Sequence, residues 1–432
     1  MKPNAIFWFR RDLRLEDNHG LFEVLKNYKN VLPIFIFDPE ILEKLPKDDA
    51  RLNFIYEQLK DLNDSLDTNQ KINTYYGRPE QVFNHLVSEF PIEAVYTNHD
   101  YEPYAIERDK EVSDLLNLKS IAYKSFKDQV IFERNEVTKD DGLPYKVYTP
   151  YSKKWLGAFN DRCIDAYPSE NLLKHLSKMD CNRWVPLEAM GFSLSKLKIA
   201  PFKMDTQLIH LYEEKRNTPS VAGTSRLGPH LRFGTVSIRK VVKKALKSSN
   251  ITFLKELIWR EFFMQILWHF PHTVTKSFKP QYEAIQWRNN KEEFEKWCQG
   301  ETGYPLVDAG MRELNQTGFM HNRVRMLVGS FLCKHLLIDW RWGEAYFAQK
   351  LLDFELSSNV SNWQWVAGCG VDAAPYFRIF NPTTQIAKFD KDHHYIKKWV
   401  PEYQEFNYAK PIIEHKFARE RCLKTYKSAL NS

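Results

Sequence analysis

Three stretches of the 432-residue chain gather side chains that can do chemistry. In Gly223-Thr224-Ser225-Arg226-Leu227-Gly228-Pro229-His230-Leu231, two hydroxyls, a glycine and a proline stand where a helix should begin. Hydroxyls and free backbone N–H groups at a helix start hold an anion such as a phosphate, although the same pair also serves as a plain cap. In residues 255–263, Glu256, Trp259, Arg260 and Phe263 fall at i, i+3, i+4 and i+7 and so share a helix face. A carboxylate beside a flat indole and a guanidinium can hold a base; a solvated Glu256–Arg260 pair flanking a buried tryptophan is the reading that spacing alone favours. The third set joins residues 320–326 to Trp340-Arg341-Trp342, Leu352-Asp353-Phe354-Glu355 and residues 359–365, and is denser in polar and aromatic groups than a routine core. There Asn322 and Met326 lie one helical turn apart and serve one pocket, while Arg325 offers a fork to a carboxylate such as Asp353.

The elements that must position these groups change character along the chain. Apolar runs at Ala5–Phe9, Val31–Phe37, Ile72–Tyr76, Ala94–Thr97 and Ser120–Phe126 alternate with helix-compatible segments at Asn18–Tyr28, Asp48–Leu66, Pro79–Glu89 and Tyr104–Leu116. That alternation predicts a doubly wound α/β domain with a parallel sheet over residues 1–130. The turn after the first run, Arg10 to Asn18, has none of the glycines that let a backbone approach a pyrophosphate, so a standard dinucleotide site is not expected. Residues 131–203 mix Pro, Gly, Tyr and Trp with weak periodicity and read as a connector over the surface. From 204 to 432 the patterns are helical, including Phe253–Phe270 ended by Pro271 and a stretch over Ala309–Leu337 interrupted by Gly318.

Composition narrows the classes. A chain this long calls for at least two hydrophobic cores. Lys and Arg exceed Asp and Glu, 62 against 55, for a net charge of +7, which favours a polyanionic partner. The 14% aromatic content points to a large aromatic core or a planar cofactor site. No apolar run is long enough to span a bilayer, and the N-terminus lacks the pattern of a secretory signal, so a cytoplasmic location is expected. The six cysteines (Cys163, Cys181, Cys298, Cys333, Cys369 and Cys422) are scattered without a CxxC pair; reduced thiols and no metal site are the expectation.

The blocks ELIWREF (256–262), GYPLVDAGMRELNQTGFMHNRVRM (303–326), NWQW (362–365) and DAAPYFRIFNPTTQ (372–385), with WFRRDLRLEDN (8–18) at the start, resemble the class I cyclobutane pyrimidine dimer photolyases of the photolyase/cryptochrome family. The resemblance covers essentially the whole chain. It implies an α/β domain of the antenna type joined to an all-α domain that buries a folded FAD. By that match the flavin contacts are Tyr212, Thr224, Ser225, Arg226, Leu227, Gly228, Glu256, Trp259, Arg260, Phe263, Arg325, Asp353, Glu355 and Asn359, with the neutral amide of Asn359 beside the flavin N5. Phe253 stands where members often carry Trp, and Gly228 where they often carry Ser.

The same match assigns the lesion pocket and catalytic set to Glu256, Trp259, Asn322, Met326 and Trp365, together with Asn359. Glu256 would hydrogen-bond the pyrimidine edge, and the two indoles would wall the flipped dimer. Arg216, Arg260, Arg323, Arg378 and Gln385 match positions that touch DNA, where arginine–phosphate contacts fix register without reading sequence. Trp363, Trp340 and Trp287 match a chain of tryptophans that photoreduces the flavin; without the resemblance they read as core aromatics. Members often carry a second, antenna chromophore; here a deazaflavin, a flavin or no antenna are all open. Ala105 stands where folate-binding members place a glutamate, and Arg51 and Asp100 are the candidate polar contacts.

The implied activity is repair of ultraviolet-damaged DNA by electron transfer from photoexcited reduced FAD, a lyase reaction carried out by a monomer that needs no membrane. The alternatives are a cryptochrome-type photoreceptor, disfavoured by the short stretch between the last helical pattern and Ser432, and a 6-4 or single-strand-specific photolyase, disfavoured by Asn322 and Met326. A non-enzymatic flavoprotein is made unnecessary by Asn359 and the complete pocket set.

Overall fold

The structure, a computed structural model, describes residues 2–179 and 182–431. It divides into two compact units, each built from three separate segments. The first gathers Met1–Glu136, Gly157–Phe202 and Arg226–Lys247; the second gathers Val137–Leu156, Lys203–Ser225 and Ser248–Ser432.

The first unit holds a five-stranded sheet: β1 (Ala5–Phe9), β2 (Val31–Phe37), β3 (Asn73–Tyr76), β4 (Ala94–Asn98) and β5 (Ala122–Phe126). All pairs are parallel, in the order β3-β2-β1-β4-β5. β1 and β2 are buried at every position, as a sheet covered on both faces requires. The covering helices are α1 (His19–Asn27), α2 (Ala50–Ser65), α3 (Pro79–Glu89) and α4 (Pro103–Leu118). Local chemistry starts each one: Asn18 and Asp49 accept from the N–H groups of Leu21 and Arg51, and Pro79 and Pro103 supply a fixed φ at the first turn.

Strand order reverses between β1 and β4, where such sheets commonly open a ligand crevice. Here the loops at that edge are laced by ion pairs. Arg10 reaches Asp109, Arg11 reaches Asp100 at 3.0 Å and Glu102 at 3.1 Å, and Arg14 reaches Asp128 at 2.6 Å. Arg239, from the helix Ile238–Ala245, pairs with Asp17 at 3.0 Å and Asp128 at 2.8 Å. Burial pushes the Asp128 carboxyl up, but Arg14 and Arg239 outweigh it and hold the group down at about 2.

Residues 157–202 depart from the expected surface connector. Leu176 bridges in parallel to Val31, and Leu187, Met190 and Phe192 are buried in the core under α1 and α2. These residues lie in short 3-10 turns and loops, whose period is not the one a helix search detects. Cys181 falls outside the described residues; the other five cysteines are free thiols.

The second unit is helical among its described residues: α5 (Tyr148–Ala158), α6 (Thr252–His269), α7 (Pro305–Thr317), α8 (Asn322–Ser330), α9 (Trp340–Lys350), α10 (Leu356–Ala367), α11 (Pro382–Phe389) and α12 (His415–Asn431), with shorter turns between. Its core is one cluster that includes Leu314, Val324, Phe331, Trp340 and Trp363. Gly318 breaks α7 from α8: its φ is +66°, and a Cβ there would stand 2.4 Å from Leu352 Cγ. No described helix is long and apolar enough to cross a membrane.

Candidate functional site

A cleft opens in the second unit. Its lining includes Asn322, Arg325 and Met326 of α8, the Asp353–Glu355 turn, and Asn359, Trp363 and Trp365 of α10. The spacing argument for Asn322 and Met326 holds in three dimensions, because one turn of α8 faces the cleft. His321 starts that helix by accepting from the Arg323 N–H at 3.1 Å. Arg325 is aimed by its Nε bond to the Met320 carbonyl at 2.7 Å and meets both oxygens of Asp353, at 3.1 and 2.9 Å.

Asn359 is held by a residue the sequence did not single out. Its Nδ2 donates to the main-chain oxygen of Glu344 at 3.1 Å and to the Glu344 carboxylate at 2.8 Å. Both donors of the amide are thereby used, which leaves the Oδ1 acceptor for a ligand N–H. Burial raises the Glu344 carboxyl, and the Asn359 bond lowers it only in part. No period links positions 344 and 359, so only the packing of α9 on α10 reveals the pair.

The α6 set is partnered across elements. Glu256 pairs with Arg216, and Arg260 pairs with Glu355 at 3.1 Å. The solvated Glu256–Arg260 pair that spacing favours is therefore not what forms, because each group finds a better-placed charge on another segment. Trp259 is stacked on Tyr148, ring centres 3.6 Å apart and planes 8° apart, and lies 5.3 Å from Phe263. Tyr148 opens α5, with its hydroxyl donating to the Lys255 carbonyl at 2.8 Å and its N–H to Asp372 at 3.3 Å. Sequence reasoning missed this tyrosine because its stretch lacks helical periodicity. One face of Trp259, expected as a flat wall, is thus already covered by the protein.

Tyr212 packs edge-on against Phe253 at 5.1 Å, beneath the Arg216 guanidinium at 5.1 Å. Burial and the nearby Glu256 carboxylate push its phenol up to about 12. Arg323 donates to Asn217 at 2.6 Å and lies 4.4 Å from the Phe389 ring of α11, the helix that also carries Gln385. Burial lowers the Arg323 guanidinium from its ordinary value, and the charges of Arg216 and Arg378 lower it further. Three guanidinium groups thus stand close enough to repel one another, and Arg216 is the one that Glu256 offsets.

Thr224 and Ser225 lie in the second unit, whereas Arg226, Leu227 and Gly228 lie in the first. Arg226 takes a left-handed φ of +58°, and Gly228 opens a short helix, Gly228–Arg232. The three tryptophans all lie in the second unit. Trp363 is buried at the cleft wall with Phe347 at 5.0 Å and Trp297 at 6.1 Å; Trp340 is buried, and Trp287 packs edge-on to Tyr426 at 6.0 Å. Among the described residues the three indoles make no direct ring contact with one another. Arg51 and Asp100, in the first unit, are engaged by Asp49 at 2.6 Å and by Arg11 at 3.0 Å.

A flavin fits the chemistry of this lining. A flat ring with one N–H edge would find there the Oδ1 of Asn359, the Arg325–Asp353 pair, the carboxylate of Glu355 that Arg260 holds, and the indole of Trp365.

Comparison with known proteins bears on the same residues. The family model described as the FAD binding domain of DNA photolyase matches residues 253–407, and the model described as DNA photolyase matches residues 5–170. A deoxyribodipyrimidine photo-lyase of Agrobacterium fabrum is 34% identical, over 98% of this chain and 97% of that protein. Among solved structures, a bacterial class III photolyase from Agrobacterium tumefaciens superposes with a TM-score of 0.90 at 33% identity, covering 100% of this chain and 98% of that one. An archaeal photolyase from Sulfolobus tokodaii, solved with two FAD molecules, gives 0.82 at 32% identity, covering 98% of this chain and 100% of that one.

Proposed function

The chain belongs to the DNA photolyase family, and on that premise we propose that it is a deoxyribodipyrimidine photo-lyase of the class I type that repairs cyclobutane pyrimidine dimers in DNA. The single observation that carries this reading is that Asn322, Met326 and Trp365 line the same cleft as Asn359 and the Arg325–Asp353 pair. A lesion and a flavin then share one cavity, as transfer of an electron between them requires. When bound, FAD would supply the light absorption and the electron that opens the cyclobutane ring, and would take that electron back once the two pyrimidines have separated, so that no net redox change occurs.

The chain's own residues do the rest. The Oδ1 of Asn359 would accept the flavin N–H, and the Arg325–Asp353 and Arg260–Glu355 pairs would set the charge around the ring. Glu256 hydrogen-bonds the pyrimidine carbonyl or N3 edge, where charge develops once the electron arrives. Trp365 and the uncovered face of Trp259 hold the flipped dimer by stacking and exclude water from it. Arg216, Arg323 and Arg378 grip phosphates on either side, independently of sequence. The class III solved structure shares the fold, so the class I reading rests on these pocket residues.

A second, light-harvesting chromophore belongs to the proposal. The two FAD molecules of the Sulfolobus structure are a precedent, and an absorption band beyond those of FAD in the purified protein is the expected sign of one. The deciding experiment illuminates purified, reduced holoprotein with blue light in the presence of an oligonucleotide bearing one cyclobutane dimer. Return of the intact thymines supports the reading. A dimer left unrepaired while the oligonucleotide is bound rejects it in favour of a photoreceptor.

A further inference from the structure

We propose that Lys334 is a positioning residue for DNA binding: from inside the second unit it holds the main-chain oxygen of Arg378, and so sets where the Arg378 guanidinium is presented. This rests on the reading of Arg378 as a phosphate contact.

Lys334 lies in a π-helical turn, Phe331–His335, that continues α8. It is 1% exposed, and its Nζ donates to the Arg378 carbonyl at 2.8 Å. The stretch 373–380 between α10 and α11 has no helix or strand, and Pro375, Phe377 and Arg378 are exposed. Its own hydrogen bonds are short-range, Arg378 N–H to Pro375 and Ile379 N–H to Phe377. Among the described residues, the Lys334 bond is the one hydrogen bond that ties 373–380 to another part of the chain. Tyr376, Ile379 and Phe380 also pack on the core, which fixes depth; the bond at Arg378 fixes where along the chain the anchor falls.

Among the described residues, no carboxylate within hydrogen-bonding distance neutralises this buried ammonium, an arrangement that costs stability. The groups facing it are Cys333 and His335 on its own turn, Cys422 on α12, Cys369 after α10 and Arg378 itself; Arg421 of α12 faces His335 and Cys422, and Asp339 faces Cys333. Burial pushes the thiols of Cys369 and Cys422 up to about 12 and His335 down to about 3, so neither kind titrates between pH 7 and 9. Burial lowers Lys334 to about 8. As pH rises through that value a charge-assisted hydrogen bond becomes a neutral one, roughly half as strong, and the segment loosens.

The test measures dissociation constants of full-length holoprotein for a short DNA duplex, at fixed salt, from pH 7 to 9.5. Wild type, K334M, R378A and the double variant are compared. R378A is expected to weaken binding about tenfold, in line with loss of one phosphate contact. Wild type is expected to weaken about threefold between pH 7 and 9, and K334M to be about threefold weaker at pH 7 with a flat profile. The double variant should be no weaker than R378A, and the thermal midpoint of K334M should not fall, since a buried charge has gone. R378A alone should also lose the pH dependence, a measurement that does not need K334M to fold. Losses that add in the double variant, or a pH profile that survives in R378A, overturn the role of Lys334 while leaving Arg378 on DNA. R378A binding like wild type overturns both.

Discussion

Glu256 is already bonded to Arg216, so a lesion that takes its carboxylate must share it with a guanidinium. Glu256→Ala removes the acceptor and frees Arg216 to approach phosphate. Flavin uptake should stay largely intact, since the other flavin contacts remain, while repair per absorbed photon falls by about threefold, the scale of one hydrogen bond to a charged group partly replaced by water; counting repaired dimers against absorbed light checks it. Trp363→Phe keeps the packing against Phe347 but raises the cost of oxidising that ring. Photoreduction of the bound flavin by an external reductant should stop, and chemically reduced protein should repair at the wild-type rate; lost repair in the reduced sample would remove Trp363 from the role assigned to it. At this scale the sequence was legible where one helix carries both groups, as with Asn322 and Met326. It was opaque for Tyr148, Glu344, and the true partners of Glu256 and Arg260, because a helical wheel shows which way a side chain faces and not what stands opposite.

Helix boundaries were readable because they are chemical. Pro271 closes α6, and Gly318 separates α7 from α8 with a left-handed φ. Gly318→Ala combines that strained conformation with a methyl driven into Leu352, the neighbour of Asp353. A loss of about 2–3 kcal/mol in unfolding free energy is expected, with weakened flavin retention as the Arg325–Asp353 pair shifts; denaturant titration and flavin content read the two effects separately. Helix α5 was hidden, since Tyr148–Ala158 has little amphipathic period and sits in a stretch rich in Pro, Gly and aromatic residues. The parallel sheet was plain from its buried apolar runs. Its ion-laced edge was not, because pairs such as Arg14–Asp128 join residues more than a hundred positions apart.

Over the whole molecule, a linear reading can cut a chain only at points along it, whereas each unit here is assembled from three separate segments. The acid response follows from the first unit. Asp128 has a folded value of about 2 against an ordinary 3.8, so its contribution is fully present above pH 4 and is lost as pH falls through about 2. Asp128→Asn takes the carboxylate from buried Arg14 and leaves Arg239 with Asp17 alone, and should cost about 3 kcal/mol at neutral pH. Its deficit relative to wild type should shrink as pH drops from 4 towards 2; a deficit constant with pH would mean that the charge of Asp128 does not matter. The same pairing has a consequence for biosynthesis. Asp17 and Asp128 emerge early from the ribosome, but the guanidinium that neutralises both belongs to Arg239. The nascent N-terminal sheet must therefore wait, with Asp17 unanswered and Asp128 held by Arg14 alone, until more than half of the polypeptide has been translated.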